Sequence, residues 1–386
     1  VKKDWKKYAF DVPLAVPHLA GKEWEYVKNC LDTNWITSAG AYIEEFEEKI
    51  ANYTNAKYCV AVSSGTAALH LALQAVGVGA NTCVILPNLS FVASANAVHY
   101  CNAKPIFIDI RKDTWQIDEN LLEDFLEQQC YQEQGNSYLK SSKEKIAALL
   151  PVHCLGNMPN MNKLLAISRK YHIPIVEDAA EALGSFFEKQ HAGTLGEVGV
   201  LSFNGNKIIT TGSGGAVITN NEKIAEKIRH RANQAKTDLH DYFHDEVGYN
   251  YRMANILAAI GVAQMEQLAT FLEKKKLIDQ IYRENLEKMA ILQAVEPQVS
   301  PNFWLFTALL ENSEQIATKL SQQGIQVRKL WYPLSRLPMN QDSLYIQQED
   351  ITWQVYAKSL SLPSGVGLQA EGVLRICEII THWAKK

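Results

Sequence analysis

The sequence predicts an α/β protein in which a seven-stranded, mainly parallel sheet forms a large domain and a smaller α+β domain follows it. Between residues 58 and 220, short apolar runs rich in branched side chains alternate with helical patterns, the arrangement of parallel strands joined by helical crossovers. Several of these runs lack polar alternation, as strands covered on both faces do. The length of 386 residues exceeds one domain of roughly 150 and leaves room for a second.

The seven strands are predicted at residues 58–62, 83–86, 105–108, 146–152, 173–176, 199–203 and 215–219. Between the first two, Leu69, Ala72, Leu73 and Val76 recur at helical spacing, and Gly77 offers a stop. Asp118 can cap a helix whose Leu121, Leu122, Phe125 and Leu126 make an apolar stripe. Residues 128–145 are polar and are expected on the surface. After Ile256, a pattern through Met265, Leu268, Leu272, Leu277, Ile281 and Leu286 reads as one extended helix leading out of the large domain. Residues 1–255 are accordingly assigned to the large domain and 256–386 to the small one, with an α+β segment beyond about 290. No repeat at solenoid spacing occurs.

Composition removes several classes of function. Apolar residues make up 47% and charged residues 21%, so a disordered or low-complexity chain is excluded. A formal charge of −4 with a pI near 6.2 lacks the basic excess that nucleic acid requires. No uncharged apolar run reaches the roughly 18 residues of a membrane helix, and Val1-Lys2-Lys3-Asp4-Trp5 lacks the apolar region of a signal peptide. A cytoplasmic protein without membrane partners is expected. Cys30, Cys59, Cys83, Cys101, Cys130, Cys154 and Cys377 form no C-x-x-C pair, which points to packed or surface thiols.

In open parallel sheets, ligands bind at the carboxyl ends of the strands. Three such places stand out. Ser63-Ser64-Gly65-Thr66 joins a strand to a helix, where N–H groups and hydroxyls can cradle an anion, although an ordinary helix cap has the same pattern. Glu177-Asp178 follows an apolar run, where a carboxylate needs a cation or proton donor unless it is a solvated loop acid. Lys207 is the single charged residue between Glu197 and Glu222. Partial burial would lower the pKa of such an amine and suit it to a Schiff base, and the simpler alternative is a snorkelling surface lysine. Gly212, Gly214 and Gly215 then let the backbone pass close to a bound group.

Other templates fail. There is no G-x-G-x-x-G after a strand, no G-x-x-x-x-G-K-[ST] and no H-E-x-x-H, and the ten histidines lack ligand spacing, so no metal site is expected. Taken together, an anion cradle, a carboxylate and an isolated lysine at strand ends match the phosphate, ring nitrogen and aldehyde of pyridoxal phosphate.

Further motifs run in order along nearly the whole chain. They are Trp35-Ile36-Thr37, Phe46-Glu47, Ser64-Gly65-Thr66-Ala67-Ala68-Leu69, Phe91-Val92-Ala93-Ser94-Ala95-Asn96-Ala97 and Pro151-Val152-His153. Glu177-Asp178-Ala179-Ala180, Ser202-Phe203 before Lys207, Gly248-Tyr249-Asn250-Tyr251-Arg252 and Trp331-Tyr332-Pro333-Leu334 complete the set. The set resembles the DegT/DnrJ/EryC1/StrS family of pyridoxal-phosphate-dependent sugar aminotransferases.

The resemblance implies the aspartate-aminotransferase-like fold (fold type I) and a homodimer with shared active sites. Pyridoxal 5′-phosphate is the implied cofactor, with pyridoxamine phosphate as its intermediate form. By position, Lys207 would make the Schiff base and shuttle the proton. Asp178 would pair with the pyridinium nitrogen, and Phe91 would stack on the ring unless it packs in the core. Gly65, Thr66 and Ser202 would hold the phosphate, with Asn250 or Arg252 reaching it from the neighbouring subunit. Arg252 could otherwise be a surface arginine.

The loop 229–251 would lie near the sugar nucleotide or else be solvated. Glu181 stands where the family often has Gln or His beside the ring hydroxyl, and a carboxylate there repels a phenolate unless it is protonated. Together with Asp-Tyr-Phe-His-Asp-Glu at 241–246, Glu181 resembles subgroups making precursors of bacillosamine-like or nonulosonic sugars. Ser335 replaces a common His after Tyr-Pro-Leu.

The implied reaction moves the amino group of L-glutamate to C4 of a 4-keto-6-deoxy nucleotide sugar, with UDP-2-acetamido-2,6-dideoxy-4-ketohexose as the leading substrate, for surface-glycan or nonulosonic-acid biosynthesis. The alternatives are transfer at C3, deoxygenation of a keto sugar, or a non-catalytic sugar-nucleotide sensor. Deoxygenating relatives carry His at the lysine position, so Lys207 argues against that chemistry.

Overall fold

The computed structural model describes residues 10–238 and 240–384. The opening residues weighed above as a signal segment, Val1 to Trp5, lie outside them. Seven strands build the central sheet: β1 (Tyr58–Val62), β2 (Thr82–Pro87), β3 (Lys104–Ile108), β4 (Lys145–Leu149), β5 (Val176–Asp178), β6 (Val198–Ser202) and β7 (Gly215–Thr219). Their spatial order is β1-β7-β6-β5-β4-β2-β3. Only β7 runs against the others. β4 and β5 meet through the bridges Leu149 to Ile175 and Val152 to Asp178.

Each of the seven predicted runs reappears. The run at 173–176 pairs first through the isolated bridge at Ile175 and becomes a continuous strand at Val176. Successive side chains of a strand point to opposite faces. Val60 and Val62 accordingly pack with Leu69 and Leu73, while Cys59 and Ala61 join Phe46 and Ile50 on the other side.

The helix predicted between the first two strands is Gly65–Ala75, with Ser64 Oγ accepting from the Ala67 N–H at 3.1 Å. Asp118 caps Glu119–Gln129 by accepting from Asn120 and Leu121. Residues 128–145 lie largely on the surface, as expected, and contain a hairpin, Cys130–Glu133 with Asn136–Leu139, whose Ser137 is buried and donates to Tyr171 O at 2.6 Å. One expectation is corrected. The single long helix is two, Asn255–Met265 and Leu268–Leu286. The turn tightens between them, where the Gln267 N–H bonds to Gln264 O and both glutamine amides reach Glu23.

Asn255–Met265 packs on Glu23–Asp32 and Ala41–Thr54, against the sheet. Leu268–Leu286 instead leads to a second core of Ile278, Tyr282, Phe306, Leu320, Val373 and Ile376. That core lies under a small antiparallel sheet of Ile291–Leu292, Thr307–Leu309 and Ser359–Ser361. Leu344–Ile346 returns to add a parallel strand outside β3.

All seven cysteines are free and buried. Among the described residues, no helix is long and apolar enough to cross a membrane, and no His, Cys, Asp and Glu group could hold a metal.

Candidate active site

At the carboxyl ends of β1, β5 and β6 the chain encloses a cavity of about 330 Å³, within the roughly 300–1,000 Å³ usual for small-molecule sites. The start of the Gly65–Ala75 helix forms one wall. The N–H groups of Gly65 and Thr66 open that helix and have no carbonyl four residues back to bond, so they are free to meet an anion. Close packing brings them there: a Cβ on Gly65 would lie 2.9 Å from Ser202 Cβ, and one on Gly215 would lie 2.6 Å from Gly65 N. Ser202 thereby joins the same wall.

Strand alternation separates the two acids at the end of β5. Asp178, 5% exposed, lines the cavity. Its Oδ2 accepts from Ser94 Oγ at 2.7 Å and its Oδ1 from Ala180 N at 3.2 Å. Glu177 is buried on the opposite face, bonded to His153 Nε2 at 2.8 Å and to the N–H groups of Gly193, Leu195 and Gly196. Burial pushes the Glu177 carboxyl up, but His153 and these N–H donors outweigh it and hold the group below the usual carboxylate range. Glu177 is thus a structural acid, and Asp178 is the one available to a ligand.

Lys207 lies at the tip of the excursion after β6, with its side chain 14% exposed. The loop is closed by Phe203 N–H to Gly214 O and Thr211 N–H to Phe203 O. The Lys207 amine stands 3.4 Å from Glu181 Oε1 and 4.1 Å from the centre of the Trp304 ring. Glu181 Oε2 accepts from Leu155 N at 2.9 Å. Burial raises the Glu181 carboxyl pKa, and the nearby Lys207 amine and Leu155 N–H offset this only in part.

The cavity therefore brings together Gly65, Thr66, Phe91, Asp178, Glu181, Ser202 and Lys207. Phe91, 53% exposed, stands on the rim rather than in the core. Asn250 and Arg252 are elsewhere. Arg252 Nη1 bonds to Glu47 Oε1 at 2.7 Å and to Ala61 O, and it lines a separate cleft with Arg229, His230 and Lys236. Asn250 is exposed and pairs through its backbone with Asn233. Of the stretch 229–251 expected as a loop, the first residues complete the helix Glu222–Ala232, and the loop after it is anchored at its end by Tyr249 and Tyr251, which stack on each other beside His70. Ser335 does not line the cavity, and its N–H donates to Asn88 Oδ1.

Sequence reasoning missed Asn206, Trp304 and Arg328, and it quoted Ser94 and Trp331 without a role, yet all five line the cavity. Trp304, Arg328 and Trp331 come from beyond residue 300, and nothing local in the sequence ties them to Lys207.

The residues present fit pyridoxal phosphate. An ionised carboxylate has about four acceptor sites, and Asp178 has filled two. Asn206, in the cavity wall, carries a buried Oδ1 with no partner among the described residues. The Lys207 amine shares the cavity with an open helix start, the two groups that a bound aldehyde and its phosphate require.

The family model described as the DegT/DnrJ/EryC1/StrS aminotransferase family matches residues 17–381. The chain is 36% identical to the GDP-perosamine synthase of Escherichia coli O157:H7, over 96% of this chain and 98% of that protein. It is 36% identical to the UDP-4-amino-4,6-dideoxy-N-acetyl-beta-L-altrosamine transaminase of Campylobacter jejuni, over 66% of this chain and 64% of that one. Among solved structures, DesV of S. venezuelae in complex with a ketimine intermediate superposes with a TM-score of 0.86 at 26% identity, covering 95% of both chains.

Proposed function

Because the chain belongs to the DegT/DnrJ/EryC1/StrS aminotransferase family, whose members depend on pyridoxal phosphate, we propose that it moves the amino group of L-glutamate to C4 of a 4-keto-6-deoxy nucleotide sugar. One observation carries this reading: the Lys207 amine, the Asp178 carboxylate and the open start of the Gly65–Ala75 helix meet in one cavity. When bound, the cofactor supplies a ring that stores the electron pair left when a proton leaves the carbon beside nitrogen.

The chain's residues supply the rest. Gly65, Thr66 and Ser202 would hold the phosphate. Asp178, kept in place by Ser94, would accept a hydrogen bond from the protonated ring nitrogen. Phe91 would stack on the ring, and Glu181 would face the ring hydroxyl. Lys207 Nζ takes up the proton lost from the α-carbon of glutamate and later delivers one to C4 of the sugar.

The relative named for a 4-amino-4,6-dideoxy sugar favours C4 and a UDP-linked substrate. A GDP-linked substrate is the second reading, favoured by the relative that aligns along the whole chain. Nucleotide sugars and glutamate meet in the cytoplasm, which is where the reaction is assigned.

The test is a panel of UDP- and GDP-linked 4-keto-6-deoxy sugars with glutamate. Purified protein should show the absorbance of the bound cofactor and lose it on adding glutamate. Lys207→Ala should lower turnover by roughly 10²–10⁴-fold, and borohydride reduction followed by peptide mapping should label Lys207. A protein that never responds to glutamate would sink the reading. A Lys207→Ala variant that aminates nothing yet leaves the cellular phenotype intact would move the case to binding without catalysis.

A further inference from the structure

Behind the active-site wall, Lys275 of the Leu268–Leu286 helix is 2% exposed. Its ammonium donates to Trp304 O at 2.7 Å and Ser364 O at 2.6 Å. Among the described residues no carboxylate lies within ion-pair distance of it. A buried cation without a counter-charge is costly, and burial pulls this lysine down to about 7. The location shows what the cost secures. Trp304 is pinned by its carbonyl to Lys275, by its own N–H to Asn302 Oδ1 at 3.0 Å, and by its indole N–H to Asn206 O at 2.7 Å. So held, its ring covers the Lys207 amine at 4.1 Å. Lys275 and Lys207 also share the lining of a cavity of about 10 Å³, the room of about one water.

We propose that Lys275 is a positioning residue for the reaction at Lys207, acting through Trp304: it fixes the indole that holds the reactive amine in one place. Remove the strut, and the Trp304 carbonyl loses a donor at the point where its backbone must stay still. The amine then samples positions away from the cavity. This inference rests on the reading of Lys207 given above, and the two can fail separately.

The experiment compares wild type, Lys275→Met, Trp304→Leu and the double variant. Two quantities are read. One is the rate at which acetic anhydride labels Lys207 in the cofactor-free protein, followed by peptide mapping. The other is kcat against KM for the keto sugar in the loaded enzyme.

Loss of a cation–π contact of this kind corresponds to about a tenfold change. Each single variant should label Lys207 about tenfold faster and lower kcat about tenfold, with KM held within about twofold. The double variant should match the singles, since both act through one contact. Labelling and kcat within about twofold of wild type, or a double variant whose effects multiply to about a hundredfold, would overturn the proposal. Should Lys275→Met not fold, Lys275→Arg replaces it under the same criteria, because a guanidinium keeps the charge but cannot place the same donors. If borohydride fails to label Lys207 in loaded wild type, it is the reading of Lys207 that falls. The anhydride result still reports on the Trp304 contact.

Discussion

At Glu181, burial and a neighbouring amine pull in opposite directions. Burial raises its carboxyl and prevails, while Lys207, 3.4 Å away, works against it. The group therefore takes its proton above the ordinary carboxylate range, and beside a ring oxygen it is the protonated form that donates a hydrogen bond instead of repelling. Activity that depends on the protonated form is present on the acid side and lost as pH rises through the raised value. Profiles of kcat/KM against pH report the free enzyme's groups. Wild type should show an alkaline limb above the usual carboxylate range, and Glu181→Gln should lack it. An unchanged limb in the variant would assign the titration to another group.

The elements hold these residues through contacts that allow almost no slack. Gly215 opens β7 directly behind the Gly65–Ala75 helix, and a Cβ there would sit 2.6 Å from Gly65 N and from the Ser64 carbonyl carbon. Backbone must move to accept it. Gly215→Ala should cost about 1–3 kcal/mol as overpacking, read as a lower urea midpoint at unchanged slope. It should also weaken pyridoxal phosphate binding, because the helix start is pushed off the phosphate position. Gly79→Ala, where an added Cβ meets nothing within 4 Å, is the control and should change neither.

The same tightness decides what the sequence reveals. Strands covered on both faces carry unbroken branched runs, so all seven could be located. The hairpin at 130–139 is amphipathic and solvated on one side, with exposed Gln132, Glu133 and Gln134 ahead of its buried Ser137 and Leu139, and its pattern resembles a surface loop. The break at Gln267 interrupts hydrogen bonding without interrupting the apolar stripe, so periodicity passes straight through it. Lys207 was legible because it is the lone charge in an apolar stretch. Trp304 was not, because its indole N–H reaches Asn206 across 98 residues of chain, a relation no local pattern encodes.

On the scale of the whole molecule, the cavity lies between the sheet and the side chains of Trp304, Arg328 and Trp331, which we assign to the small domain. Two surfaces ask for a partner. Trp24 (79% exposed), Leu31, Trp35 and Ile36 are exposed near the first helix, and Tyr242, Phe243 and Val247 are exposed on the loop that follows the helix Glu222–Ala232. So much aromatic and aliphatic surface is unusual for a lone subunit, and a two-fold homodimer covering it is proposed.

In that assembly Asn250, whose side chain makes no hydrogen bond among the described residues, is the group left to reach the neighbour's phosphate, since Arg252 is committed to Glu47 and Ala61 O. Asn250→Asp would set a negative charge against that phosphate. Lys207→Ala and Asn250→Asp proteins should each be nearly inactive alone. If sites are shared, random co-assembly makes half the dimers mixed, and each mixed dimer has one site with both residues intact. Co-expression should therefore restore about a quarter of wild-type turnover. If each subunit builds its own site, mixing two inactive chains restores nothing, and Asn250 acts within its own chain or not at all.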